Sequence, residues 1–147
     1  MKTYQLKKTS IYILILTVII CMMPSMAYAT TDYSNSTDGG HAILVNGETK
    51  TYDDVNVTKT GDSSLEDADF YGDNAAVLAE NGGTLTLSDS TVNTNGSHAN
   101  GVFAYGSGTT INVKDTDITT SSNNSGGIMT TGGAIMFKRR YAALLPA

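Results

Sequence analysis

Residues Asn74 to Ala99 and Asn100 to Ser125 are two copies of one unit, related by an ungapped shift of 26 residues. The shift superposes Asn74 on Asn100, Gly82 on Gly108, Thr84 on Thr110 and Asp89 on Asp115. Apolar residues follow the same rule: Leu85 meets Ile111, Leu87 meets Val113 and Val92 meets Ile118. A third copy opens at Gly126, where Ile128 meets Val102 and Phe137 meets Ile111. Around Ala76–Ala79 a one-residue slip would put Val77, in place of Ala76, in line with Val102 and Ile128. A fixed period of this length is the mark of a repeat architecture, in which each unit buries its apolar face against the next.

Within a unit the apolar positions alternate. Leu85 and Leu87 flank Thr86, and Ile111 and Val113 flank Asn112. A period of two belongs to strands with one face in and one face out. Gly, Asn, Ser and Thr dominate the units and disfavour helix interiors, while steps such as Gly82-Gly83 and Asn95-Gly96 mark turns. Short strands under a 26-residue superperiod predict an all-β chain, a single-stranded parallel β-helix of about three to four coils. Leu85, Ile111 and Phe137 are expected to form one internal column, Leu87 over Val113 a second, and Val92 over Ile118 a third. An antiparallel sandwich offers no reason for repetition in register at one fixed period.

The stretches NAAVLA (Asn74–Ala79), GGTLTLSDSTV (Gly82–Val92) and NGVFAYGSGTTINV (Asn100–Val113) resemble the right-handed parallel β-helix repeat proteins of bacterial surfaces. That group is adhesin-like and has a pectin-lyase-like fold. TKTGDSSLEDADFYGDNAAVLA (Thr58–Ala79) looks like its entry segment, and the resemblance spans roughly residues 43 to 134. It implies a right-handed solenoid. It says little about activity, because the same fold hosts binders and polysaccharide enzymes.

Before the repeat, Lys2, Lys7 and Lys8 precede an apolar run from Ile11 to Met23, then Pro24 and Ala27-Tyr28-Ala29. A basic start, a short apolar stretch and an A-x-A end predict a secretory signal peptide over 1–29, cleaved after Ala29. The apolar run is shorter than the roughly 20 residues needed to span a bilayer. The mature chain is thus expected outside the cell or on its surface, with no membrane span. It would also lack cysteine, since Cys21 is the only one. Residues 30–61 read as N-terminal strands or a cap, 62–73 as an acidic inserted loop, 74–137 as the repeats and 138–147 as a non-repeat tail. The same shift that carries Ile111 to Phe137 carries Val113 to Arg139, which would aim a charge into an aliphatic column. With the change of composition after Phe137, this suggests a truncated reading frame.

Past residue 29 the chain carries fourteen acidic residues against six basic ones, a net charge of −8. This excludes nucleic acid as a partner, since binding phosphates needs a cationic surface. Asp62, Glu66, Asp67, Asp69 and Asp73 are the only cluster with the oxygen density of a Ca²⁺ site. The match is incomplete: Tyr71 and Leu78 stand where a calcium loop has oxygen ligands, and a solvated acidic loop accounts for the composition. Asp115 and Asp117 are spaced like paired carboxylates of a glycosidase, yet Asp89 recurs at the position of Asp115, as a side-chain ladder would. His41 and His98 read as separate loop residues, not as part of a zinc site of three or four ligands. No nucleophile–base pair stands out, so no catalytic or cofactor-binding residue is nominated.

Phe103, Tyr105 and Met129 alternate with Val102, Ala104 and Ile128. If the second set points inward, the first lines an outer strip suited to carbohydrate or a host or cell-surface protein. The alternative is that Phe103 packs beneath an adjoining loop. The expectation is an exported, non-catalytic, adhesin-like binding or structural module. A relic of a β-helix polysaccharide lyase or hydrolase, or a truncated product without a function of its own, are the alternatives.

Overall fold

The computed structural model describes residues 29–64 and 66–140. Residues 1–28 of the proposed signal peptide, Leu65 and the last seven residues lie outside the described residues. Twelve short strands follow one another: β1 (Thr31–Asn35), β2 (Ile43–Asn46), β3 (Thr49–Asp53), β4 (Val55–Lys59), β5 (Val77–Glu80) and β6 (Thr84–Ser88). Then come β7 (Thr91–Thr94), β8 (Val102–Tyr105), β9 (Thr110–Lys114), β10 (Asp117–Thr120), β11 (Ile128–Thr131) and β12 (Ile135–Arg139). A single helical turn, α1 (Ala68–Tyr71), interrupts the series between β4 and β5. Every third strand pairs in parallel, giving three four-stranded sheets: β1-β4-β7-β10, β2-β5-β8-β11 and β3-β6-β9-β12. This is a parallel β-helix of four coils, each contributing one strand to each sheet.

The interior follows from the alternation. Leu85 pairs with Ile111 and Leu87 with Val113 across β6 and β9, and Val92 pairs with Ile118 across β7 and β10. Val45, Val57, Val77, Val102 and Ala104 complete one continuous buried core. Burying a side chain such as Leu85 or Ile111 contributes about 1.5–3 kcal/mol. The slip around Ala76–Ala79 is resolved in favour of Val77, which pairs with Val102 and so stands in line with Ile128.

Corners are set by backbone conformation. The turn from the third strand of a coil to the next coil holds Asp54, Asp89 and Asp115, all with positive φ, at 52°, 49° and 42°. Asp and Asn tolerate the left-handed region better than other L-residues. The recurrence of Asp89 at Asp115 is therefore a requirement of the corner. Elsewhere, Asn74 and Asn100 are fully buried. The Asn74 Nδ2 donates to the carbonyls of Gly61 (2.8 Å) and Ser97 (3.0 Å), and its Oδ1 accepts from the Gly39 N–H (3.0 Å). The Asn100 Oδ1 accepts from the Gly126 N–H at 2.7 Å. These amides bridge backbone groups of adjacent coils outside the strand ladders.

Two expectations at the C-terminal end need correction. Met136, not Phe137, pairs with Ile111. Phe137 pairs with Asn112 and is 58% exposed. The cause is the turn after β11: Gly132, Gly133 and Ala134 separate the strands, whereas four residues, Gly106 to Thr109, separate β8 from β9. With one residue fewer, every side chain of β12 changes face relative to an ungapped alignment. Arg139 accordingly pairs with Lys114 and does not enter the column; Lys138 takes the place opposite Val113 and remains exposed.

Candidate binding face

The second coil is longer than its neighbours. Lys59 and Thr94 are register partners 35 residues apart, whereas Thr94 and Thr120 are 26 apart. The extra chain lies between β4 and β5 and contains α1. Asp67 caps the turn, its carbonyl accepting from the Tyr71 N–H at 2.8 Å. Gly72 ends it in the left-handed region, φ 79°, with its N–H donating to the Ala68 carbonyl at 2.9 Å. Gly72 then lies against the outer face of the sheet. A Cβ there would stand 2.7 Å from the Phe103 Cγ, so only glycine permits this approach.

Beneath this segment, Ala75, Leu78 and Phe103 form a second, smaller buried cluster, with Tyr105 and Met129 packed at its edge. Phe103 is 0% exposed. The outer strip expected from Phe103, Tyr105 and Met129 is thus closed at Phe103, which packs beneath the inserted segment, while Tyr105 and Met129 are half-buried.

The exposed aromatic surface lies one step away. Phe70 (50% exposed) and Tyr71 (39%) project from α1 and meet Tyr105 of β8. Ring centroids are 4.9 Å apart for Phe70–Tyr71, 5.1 Å for Tyr71–Tyr105 and 6.1 Å for Phe70–Tyr105, all edge-to-face. Such geometry is favourable for aromatic pairs. The Thr131 hydroxyl donates to the Phe70 carbonyl and ties α1 to the fourth coil. Ala79 pairs with Ala104, so Glu80 and Tyr105, the next residues on neighbouring strands, share the outer face. The Glu80 carboxylate accepts from the Asn46 amide at 2.8 Å. Phe70 and Tyr71 did not stand out from the sequence; the available signal was an aromatic pair inside the one segment that breaks the repeat.

The five carboxylates of the acidic loop do not gather into one group among the described residues. The Asp62 Oδ1 accepts from the Ser97 N–H at 2.8 Å, and the Asp69 Oδ1 stands 3.0 Å from the His98 Nδ1. Glu66, Asp67 and Asp73 join no group of three or more His, Cys, Asp or Glu that could hold a metal among the described residues. His41 and His98 are held separately: the His41 Nδ1 lies 2.9 Å from the Ala75 carbonyl. Asp117 pairs with Arg140 at 3.3 Å, while Lys114 lies between Asp89 and Asp115 at 3.7 and 3.9 Å.

Lys59 was not anticipated. It continues the inward alternation of Val55 and Val57 and is fully buried. Its Nζ donates to the carbonyls of Thr37 and Gly61, both at 2.9 Å. Burial lowers its pKa from the ordinary 10.5, and the charges of Asp38 and Asp62 pull it partly back. Its contacts make it a brace for the corner between β4 and the insertion. No helix among the described residues is long and apolar enough to cross a membrane. Comparison with protein families, curated proteins and solved structures finds no match to the chain.

Proposed function

We propose that the chain is an exported, non-catalytic binding module of the adhesin-like β-helix kind, which meets its partner through the outer face around α1. The observation that carries this reading is the exposed pair Phe70 and Tyr71 on the insertion between β4 and β5, packed against the half-buried Tyr105 of β8. Repeats build a scaffold, and irregular loops on a rigid scaffold are where contact surfaces are placed. Exposed aromatic clusters of this kind supply binding energy at little conformational cost. Export rests on the basic, apolar and A-x-A pattern of the first 29 residues.

Binding of the secreted protein to immobilised oligosaccharides and extracellular-matrix proteins tests the reading. The expected result is retention on at least one of them, lost on Tyr105→Ser with the fold intact. Release of oligosaccharides from polygalacturonate would overturn it in favour of a polysaccharide enzyme. N-terminal sequencing of the secreted chain is expected to begin at Thr30; recovery of the uncleaved chain only inside cells would overturn export.

A further inference from the structure

Resting on the binding-module reading, we infer that the Phe70–Tyr71–Tyr105 cluster is a docking site for a cationic side chain, a Lys- or Arg-bearing segment of a partner protein. Two independent features of the face select that chemistry.

The first is geometric. Three rings are held edge-to-face within 4.9–6.1 Å of one another, and Phe70 and Tyr71 are open to solvent. Tyr105 is anchored in a strand, and the Phe70 backbone is bonded to Thr131. Rigid rings present fixed π faces, and a Lys or Arg head within about 6 Å of a ring centroid is attracted by the ring quadrupole.

The second is electrostatic. No Lys or Arg occurs between Lys59 and Lys114, and this stretch carries Asp62, Glu66, Asp67, Asp69, Asp73, Glu80 and Asp89. Four of these carboxylates bracket the rings in sequence, and Glu80 stands on the strand next to Tyr105 on the same face. The stretch that carries the rings is therefore net negative and has no Lys or Arg, with Asp69 already paired to His98, and its field favours cations. That field draws in a cationic partner and repels an anionic one. A neutral sugar would stack on the rings and donate hydroxyl hydrogen bonds to the carboxylates, without charge attraction; an ammonium or guanidinium gains the rings, the hydrogen bonds and the charge. Arg is also enriched at protein interfaces, where it stacks on aromatic faces.

The test uses the mature chain and synthetic peptides of equal length carrying Arg or, in its place, the uncharged isostere citrulline. The Arg peptide is expected to bind about tenfold more tightly, the fold-change of a contact worth ~1.4 kcal/mol. Binding should weaken when salt rises from about 50 to about 300 mM, as screening shortens the reach of the carboxylates. Phe70→Leu and Tyr105→Leu keep apolar bulk but remove the π face. Each is expected to cost most of the Arg preference, with the circular dichroism spectrum and melting temperature unchanged. Equal affinity for both peptides, or an Arg preference untouched in both Leu variants, overturns the assignment. If neutral oligosaccharides are retained through these rings while the two peptides bind alike, the cation assignment falls and the binding-module reading stands. Absence of retention on every probe removes both.

Discussion

Lys59 is the only charged side chain fully buried among the described residues, and its position has a consequence for pH. Its pKa is lowered in the fold, mainly by burial, so on raising the pH the native state loses the proton before the unfolded chain does. Over the window below 10.5 the unfolded state binds more protons, and stability rises with pH. Tyr52 acts in the opposite direction. Burial, with Tyr33 next in weight, raises its phenol above 10.0, and the stability it contributes is lost as pH climbs past that value. Urea titrations across the alkaline range should therefore show an upward limb in the parent protein that is missing in Lys59→Met, while the later decline persists in both. A Lys59→Met profile with the same upward limb would show that another group is responsible. Gly72 makes a second residue-scale case. Gly72→Ala combines a left-handed backbone with a contact against Phe103 that has no space to relax, and is expected to destabilise by about 2 kcal/mol or more, read as a lower urea midpoint.

At the level of the strand, the inward and outward rows have different costs. Ile111→Ala removes a fully buried member of the column under Leu85 and is expected to cost about 2–5 kcal/mol. Thr86→Ala, on the outer row of the same ladder, should stay within about 0.5 kcal/mol. The corrected register of β12 makes a sharper contrast. Met136 packs against the main core, and Phe137 faces solvent. Met136→Ala should cost at least about 1 kcal/mol and Phe137→Ala no more than about 0.5; the reverse order in chemical melts would restore the ungapped alignment. The columns Leu85–Ile111, Leu87–Val113 and Val92–Ile118 were legible in the sequence because no insertion separates their members in the 26-residue frame. Phe137 was misplaced because strand facing depends on counting residues through a glycine turn, and Gly132-Gly133 gives no side chain from which to count.

For the whole molecule, stacking in one dimension predicts an uneven distribution of stability. Strands β4 to β9 have a paired strand on each side, while β1 to β3 and β10 to β12 are the outer layers of the three sheets. In such arrays each coil is stabilised chiefly by its neighbours. Native-state hydrogen exchange should find the slowest amides at Leu85, Leu87, Val102 and Ile111 and faster ones in β1 and β10. Uniform protection from β1 to β12 would mean that the coils unfold only as a single unit.

The fold class was determined by the amino-acid order alone: the period of two dictates strands, and the 26-residue recurrence dictates that they stack in parallel. The face around α1 was decided only in three dimensions. Nothing in the chain from Asp62 to Asp73 repeats, so periodicity could not say where it goes. Only the folded chain lays Gly72 on Phe103, decides that Phe103 packs beneath the insertion while Tyr105 and Met129 are half-buried, and brings Tyr105 against rings more than thirty positions earlier. Periodicity reports each residue's relation to its own repeat; a contact between an insertion and a strand of the next coil depends on packing, which has no period.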